Sequence, residues 1–289
     1  MPERSLCAAL ARIAICSASL AIAASGARAD DPKYPDFSGQ WGRIATAGLS
    51  GQPSYDPNKS WGKGQEAPLT PEYQAVLDAN IKDQENGGHG HFLGWTCMPY
   101  GMPMMTYGFL PLEFVVTPKT TYVILNFMDA SRRIFTDGRE WSDEVEPSFQ
   151  GYSIGKWVDQ DGDGVYDVLE VETRDFKGPR AFDEGGVPLH DDNQSIFKER
   201  IYLDKADPNV LHDEVTTIDH ALTRPWTVIR SYRRVTSDHP QWREFICNEN
   251  NPHVLIGGDN YYLSADGLLM PARKDQAPPD LKYFKRTKK

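Results

Sequence analysis

Cysteine is scarce in this chain, four in 289 residues, and two of them, Cys7 and Cys16, fall in an N-terminal stretch that reads as a removable leader. Neither of the others, Cys97 and Cys247, belongs to a C-x-x-C pair, so a thiolate metal cluster or a dithiol redox centre is not expected. Long apolar runs are missing too. Nothing approaches the ~20 residues of a membrane-spanning helix, and no membrane insertion is expected. Positive charge is in deficit, 31 Lys and Arg against 41 Asp and Glu for a net −10, which disfavours nucleic acid and anionic lipid surfaces as partners. There is no Gly-x-Ser-x-Gly elbow and no Gly-rich phosphate loop after a strand. Serine hydrolase, kinase and dinucleotide-enzyme readings therefore lose their support, and no organic cofactor is implied.

The leader has the parts of a secretory signal peptide. Arg4 and Arg12 flank the start, Ile13 to Ala24 is mostly apolar, and Ala27-Arg28-Ala29 is an A-x-A cleavage site. Residues 1–29 are expected to be removed, leaving a mature chain from Asp30 and an exported protein, most simply periplasmic. Ile15 is too large for the position before a lipoprotein cysteine. Cleavage removes three arginines and one glutamate, taking the net charge from −10 to −12. In an oxidising compartment Cys97 and Cys247 are an even pair, which predicts a disulfide; two buried thiols are the alternative. A bridge over about 150 residues would stabilise by roughly 4–5 kcal/mol in the chain-entropy picture.

Residues 159–170 form the one complete chemical motif. Asp159, Asp161 and Asp163 occupy positions 1, 3 and 5 of an EF-hand-like loop, Gly164 makes the turn, Val165 offers its carbonyl, Asp167 stands at 9 and Glu170 at 12. Such a set of oxygens fits Ca²⁺ in a structural role. The flanks, Gly151 to Val158 and Val168 to Thr173, are β-branched and alternating rather than helical, so the loop is predicted at the tip of a β-hairpin. An Asp/Gly-rich turn without metal is the competing reading.

The rest of the chain reads as mainly β. Thr70 caps a helix with Pro71 at its first position and Tyr73, Val76, Leu77 and Ile81 at helical spacing, ending at Asn86-Gly87-Gly88. A first strand is expected around Trp41. Strand-like runs follow at 113–117, 121–129, 133–137, 151–158, 165–174, 197–204, 211–219, 227–235, 243–249 and 261–264, separated by turns such as Thr136-Asp137-Gly138. This spacing predicts one antiparallel barrel or sandwich over 30–289, with an N-terminal arm, one outer helix near the N-terminus and a basic tail over 282–289.

A barrel interior is the default ligand pocket. The segment from Cys97 to Met105, with Tyr100, Met102, Met104 and Met105, offers soft apolar side chains that could contact a planar hydrophobic ligand or plug the barrel end as core. His89 and His91 have a spacing compatible with a transition metal, without an adjacent third ligand. His190, followed by Asp191 and Asp192, is a candidate general acid/base, with Asp183 close by in sequence. Arg132, Arg133 and Arg139 form the densest cationic group and could bind an anionic oxygen; the alternative is pairing with Asp137 and Glu140.

Several blocks, among them Phe37-Ser38-Gly39-Gln40-Trp41, Leu69-Thr70-Pro71-Glu72-Tyr73, Cys97 through Met105, Arg132 through Arg139, Gly151 through Trp157, Thr223 through Thr227, Tyr232-Arg233-Arg234 and Cys247 through Asn251, together resemble a broad group of largely uncharacterised exported bacterial proteins. The resemblance implies a lipocalin-like, calycin-type β-barrel. The chain departs from the group in the acidic loop after Trp157, and in Leu189, which separates Pro188 from His190.

Three functions remain open. The leading expectation is a barrel that binds a small hydrophobic, aromatic molecule and performs cofactor-independent lyase or isomerase chemistry. His190 or Asp183 would move the proton, and Arg133 with Tyr107 would hold the anionic oxygen. A non-catalytic carrier or scavenger of such ligands is the second, and a calcium-dependent structural or interaction protein the third. Oligomeric state is not legible.

Overall fold

The computed structural model describes residues 33–44, 67–86, 88, 90, 97–107, 110–127, 130–183, 185–245, 247, 253–256, 259–264, 267–273 and 275–278. The leader, His89, His91 and the basic tail lie outside these residues.

Nine strands close into a barrel: β1 (Gln40–Arg43), β2 (Leu112–Val116), β3 (Thr120–Leu125), β4 (Ala130–Phe135), β5 (Tyr152–Val158), β6 (Val168–Arg174), β7 (Ile196–Leu203), β8 (Val210–Ile218) and β9 (Trp226–Arg234). The ring is completed by β1, which pairs with β2 on one side and with β9 on the other, Trp41 lying opposite Arg234. The architecture is the expected lipocalin-like barrel, with one correction. Strands β4 and β5 pair in parallel, over Ile134↔Ser153 and Phe135↔Ile154, so the sheet is mixed. The chain leaves β4, runs out through 136–151 and comes back level with Ile134, so that β5 runs in the same direction as β4. Gly151, at φ 73°, makes the final turn there; a Cβ would sit 2.4 Å from the Phe176 ring and 2.6 Å from the Arg174 carbonyl oxygen.

Alternation decides what faces inward. Along β8 Leu211, Asp213, Val215 and Thr217 are buried while their neighbours are partly exposed, and β9 buries Trp226, Val228, Arg230 and Tyr232 in the same way. The outer face carries cross-strand charge ladders such as Lys156–Glu170 at 3.1 Å.

The outer helix α1 (Pro71–Glu85) follows β1 in the chain. Thr70 accepts the Tyr73 N–H at its N-terminus, Asn86 closes the other end, and Leu77 and Ile81, one turn apart, are buried in the common core. A three-stranded sheet follows the barrel, β10 (His253–Ile256), β11 (Asp259–Leu263) and β12 (Leu269–Pro271). Arg273 beyond β12 ties it back to α1 by an ion pair to Asp83 at 3.1 Å. β10 and β12 were not anticipated.

Among the described residues of 243–249 no strand forms. The Asn126 side chain takes over the role of a partner strand there: its amide donates to the Arg243 carbonyl (2.5 Å) and its oxygen accepts the Arg243 N–H (3.2 Å). Beyond it Cys247 forms the expected disulfide with Cys97, the Cα atoms 5.7 Å apart.

Between Cys97 and Tyr107 the chain plugs the barrel, ending in a 3₁₀ turn over Met104–Tyr107. Tyr100, Met102, Met104 and Met105 are all buried core. The plug is pinned to β9: Arg230 donates to the Pro103 carbonyl (2.5 Å) and to the Thr106 hydroxyl, and the Tyr232 hydroxyl donates to the Thr106 carbonyl.

Candidate active site

Inside the barrel lies a belt of charge contributed by four strands. Arg132 on β4 and Glu199 on β7 are 3% and 1% exposed, and their side chains meet in a forked ion pair, Nη1 to Oε1 at 2.8 Å and Nη2 to Oε2 at 2.5 Å. Arg132 Nε donates to Ser153 Oγ (2.9 Å) and Nη2 to Thr173 Oγ1 (2.6 Å), so β5 and β6 supply the remaining acceptors. Asp213 on β8 stands opposite Ile201 of β7 on one side and Arg230 of β9 on the other. It is fully enclosed. Burial, and after it the Glu199 charge, push its carboxyl well above the usual range against the pull of Arg230 and Arg132. Its Oδ1 makes no hydrogen bond with the described residues, nor do the buried hydroxyls of Thr121 and Thr217. The Tyr232 phenol is likewise raised, by burial first and then by Asp213.

A cavity touches this belt. Arg132, Glu199, Asp213, Thr106 and Tyr232 supply its polar wall, and Leu112, Phe114, Val123, Leu125, Ile201 and Met105 its apolar one. Its free space is about 10 Å³, room for one water-sized group. Titratable groups at an apolar wall, shielded from solvent, suit proton transfer and the stabilisation of a developing negative charge.

The residues singled out from sequence are distributed differently. Arg132 and Met105 line the cavity, whereas Tyr100, Met102 and Met104 are packed in the plug without reaching its wall. Arg133, expected to hold the anionic oxygen, is exposed on the outer face of β4, because neighbours in a strand point to opposite sides; Arg132 is the inward one. Arg139 takes the alternative role, paired with Asp137 at 2.7 Å. Asp183 is buried but off the cavity wall, and so is His190, which is partly exposed at the barrel rim. The backbone of Tyr107 closes the 3₁₀ turn. Glu199, Asp213 and Arg230 were missed, yet each shares the phase of apolar neighbours in an alternating strand. A charge in the apolar phase is the signal that would have found them.

At the rim His190, Asp192 and His220 converge. Asp192 Oδ1 lies 3.1 Å from His190 Nδ1 and Oδ2 lies 2.6 Å from His220 Nδ1. The hydrogen bond to Asp192 raises the His220 pKa.

The acidic loop forms the β5–β6 hairpin tip, as expected. Carboxylate oxygens of Asp159, Asp161 and Asp167 lie within 4.8 Å of one another. Asp159 accepts N–H bonds from Gly162 (2.7 Å) and Gly164 (2.9 Å), Asp163 from Val165 (2.8 Å), and Asp167 from Gln160 (2.7 Å). Glu170 departs from the expected ligand set. Strand pairing begins at Val168, so Glu170 stands on the outer sheet face in its ion pair with Lys156. Beside the loop opens a groove of about 610 Å³ reaching to β7 and β8, with Tyr166, Tyr202, Arg200, Asp204 and His212 on its walls.

No family model matches this chain, and no curated protein sequence matches it. Among the described residues no helix is long and apolar enough to cross a membrane.

Proposed function

We propose that this is an exported, periplasmic barrel enzyme that binds a small hydrophobic, aromatic molecule and carries out cofactor-independent lyase or isomerase chemistry. The reading rests on the enclosed belt of Arg132, Glu199 and Asp213 at an apolar cavity wall. Burying charge in this way is seldom repaid in stability, and perturbed carboxyls in a cleft are characteristic of catalytic sites. Asp213, whose carboxyl is biased toward its protonated form by burial and then by the Glu199 charge, gives a proton to the substrate, and the resulting carboxylate takes one back from a neighbouring carbon. Arg230 and Arg132 stabilise the Asp213 carboxylate that stands between the two steps. The substrate ring requires more than the present 10 Å³, and Met102, Met104 and Met105 are the pliable side chains that yield to it.

The test is mass-spectrometric identification of products after incubating the purified mature protein with a panel of phenolic and other aromatic compounds. Asp213→Asn is expected to lower turnover by about 10²-fold or more. Undiminished turnover in that variant would remove Asp213 from the mechanism.

One observation favours a second reading. The 610 Å³ groove beside the acidic loop is already large enough for a small ligand and carries two tyrosines, which suits a carrier that binds without turnover. Ca²⁺ held by Asp159, Asp161, Asp163, Asp167 and the Val165 carbonyl would then order one wall of the groove. Aromatic compounds retained unchanged, and released by Tyr166→Ala or by EDTA, would select the carrier.

A further inference from the structure

We infer that His190, Asp192 and His220 form a three-ligand site for a divalent transition ion of the zinc class at the rim of the barrel. One ligand atom from each residue lies within 4.8 Å of the others. The two oxygens of one carboxylate face different imidazoles, His190 at 3.1 Å and His220 at 2.6 Å. Two imidazole nitrogens and a carboxylate oxygen are a donor set that zinc-class ions accept, whereas calcium and magnesium favour oxygen alone.

The two histidines come from separate elements. His190 and Asp192 lie in the segment between the Ala181–Pro188 bridge and β7, and His220 lies in the turn joining β8 to β9. One buried side chain fastens both. Asp219 Oδ1 accepts the N–H groups of His190 (2.9 Å) and Ala221 (2.8 Å), one on each side of the site. Asp219 Oδ2 accepts the Ser195 hydroxyl, which in turn accepts Arg180 Nη2 at 2.7 Å. On its outer side the His190 ring packs on Tyr73 of α1, centroids 5.1 Å apart. The backbone that carries the ligands is therefore fixed by groups behind it, the supporting arrangement that metal ligands need.

Around an ion with bonds of about 2.0–2.1 Å, tetrahedral ligand atoms stand about 3.3 Å apart. Reaching that spacing takes small side-chain movements, and His220, 64% exposed, is free to make them. Binding would replace the bond that His190 Nδ1 accepts from the Asp192 N–H at 3.1 Å. Three protein ligands at a partly exposed rim leave further coordination positions to water or to a small ligand, as in zinc sites that do chemistry. This site is independent of the barrel belt and of the acidic loop.

The experiment is calorimetric titration of ZnCl₂ into tag-free, EDTA-stripped mature protein, with Co²⁺ absorption as a second readout of nitrogen and oxygen coordination. One equivalent is expected to bind with Kd of about 1 μM or tighter. His220→Ala and Asp192→Asn should each weaken binding at least about tenfold, while Asp161→Asn in the acidic loop leaves it unchanged. Because His220 is exposed, its variant should keep the wild-type circular dichroism spectrum and so carries the test even if a His190 variant does not fold. Binding weaker than about 100 μM, binding indifferent to His220→Ala, or binding lost in Asp161→Asn would each overturn the site.

Discussion

At the scale of single residues, Asp213 ties the proposed proton transfer to stability. Its carboxyl is raised above the ordinary 3.8 when folded, so the native state holds a proton over a pH range where the unfolded chain has released it. Stability therefore falls as pH rises from that ordinary value through the folded one, and it is undiminished only below both. Asp213→Asn should flatten this decline and be neutral or stabilising at pH 7, measured by urea unfolding at several pH values, even as turnover is lost. A decline of the same size in the variant would show that Asp213 is not its source. Arg132 should behave oppositely. Arg132→Met leaves Glu199 buried without its partner and is expected to cost about 3–5 kcal/mol, whereas Arg132→Met with Glu199→Leu should recover much of that loss. The same residues show what was legible. Arg132 shares the phase of Ile134 in β4 and Asp213 that of Leu211 and Val215 in β8, so their inward direction is written in the alternation. Their meeting is not, since it depends on closing strands far apart in the chain.

At the scale of elements, local signals translated well where the chain is its own partner. Thr70, Pro71 and the apolar spacing define α1, and the hairpin around the acidic loop follows from β-branched flanks. Among the described residues of 243–249 the expected strand is not formed, and at Arg243 a side chain, Asn126, binds the backbone that a strand would have paired. In the acidic loop the pull of β6 overrides the motif: the register that pairs Lys156 with Glu170 takes away the bidentate ligand at position 12. Ca²⁺ affinity is accordingly expected in the weak range, Kd of about 10⁻⁴–10⁻³ M by calorimetry, and Asp161→Asn should abolish it. Nanomolar binding would mean that Glu170 abandons Lys156 when the ion arrives.

At the scale of the whole molecule, the mainly β class followed from many short strands and the barrel from the resemblance of the sequence blocks, but the parallel β4–β5 seam followed from neither, because nothing local distinguishes a chain that turns straight back from one that loops out and resumes its direction. The bridge from Cys97 to Cys247 spans 150 residues and includes β2 to β9. Reduction, or Cys97→Ser with Cys247→Ser, is expected to lower stability by up to about 4–5 kcal/mol, read as a fall in denaturant midpoint. An unchanged midpoint would imply an unfolded chain that is already compact.

That bridge also governs how the protein responds to tension. Force applied at the two chain ends bypasses everything inside the covalent ring, so a stretched molecule can unravel only outside Cys97 and Cys247. The first casualty within the barrel is β1, the one barrel strand outside the ring, and its removal uncovers the facing edges of β2 and β9. An intact bridge thus converts a barrel without edges into an eight-strand sheet with two sticky borders, and in a pulling experiment extension should halt there until a reductant is added.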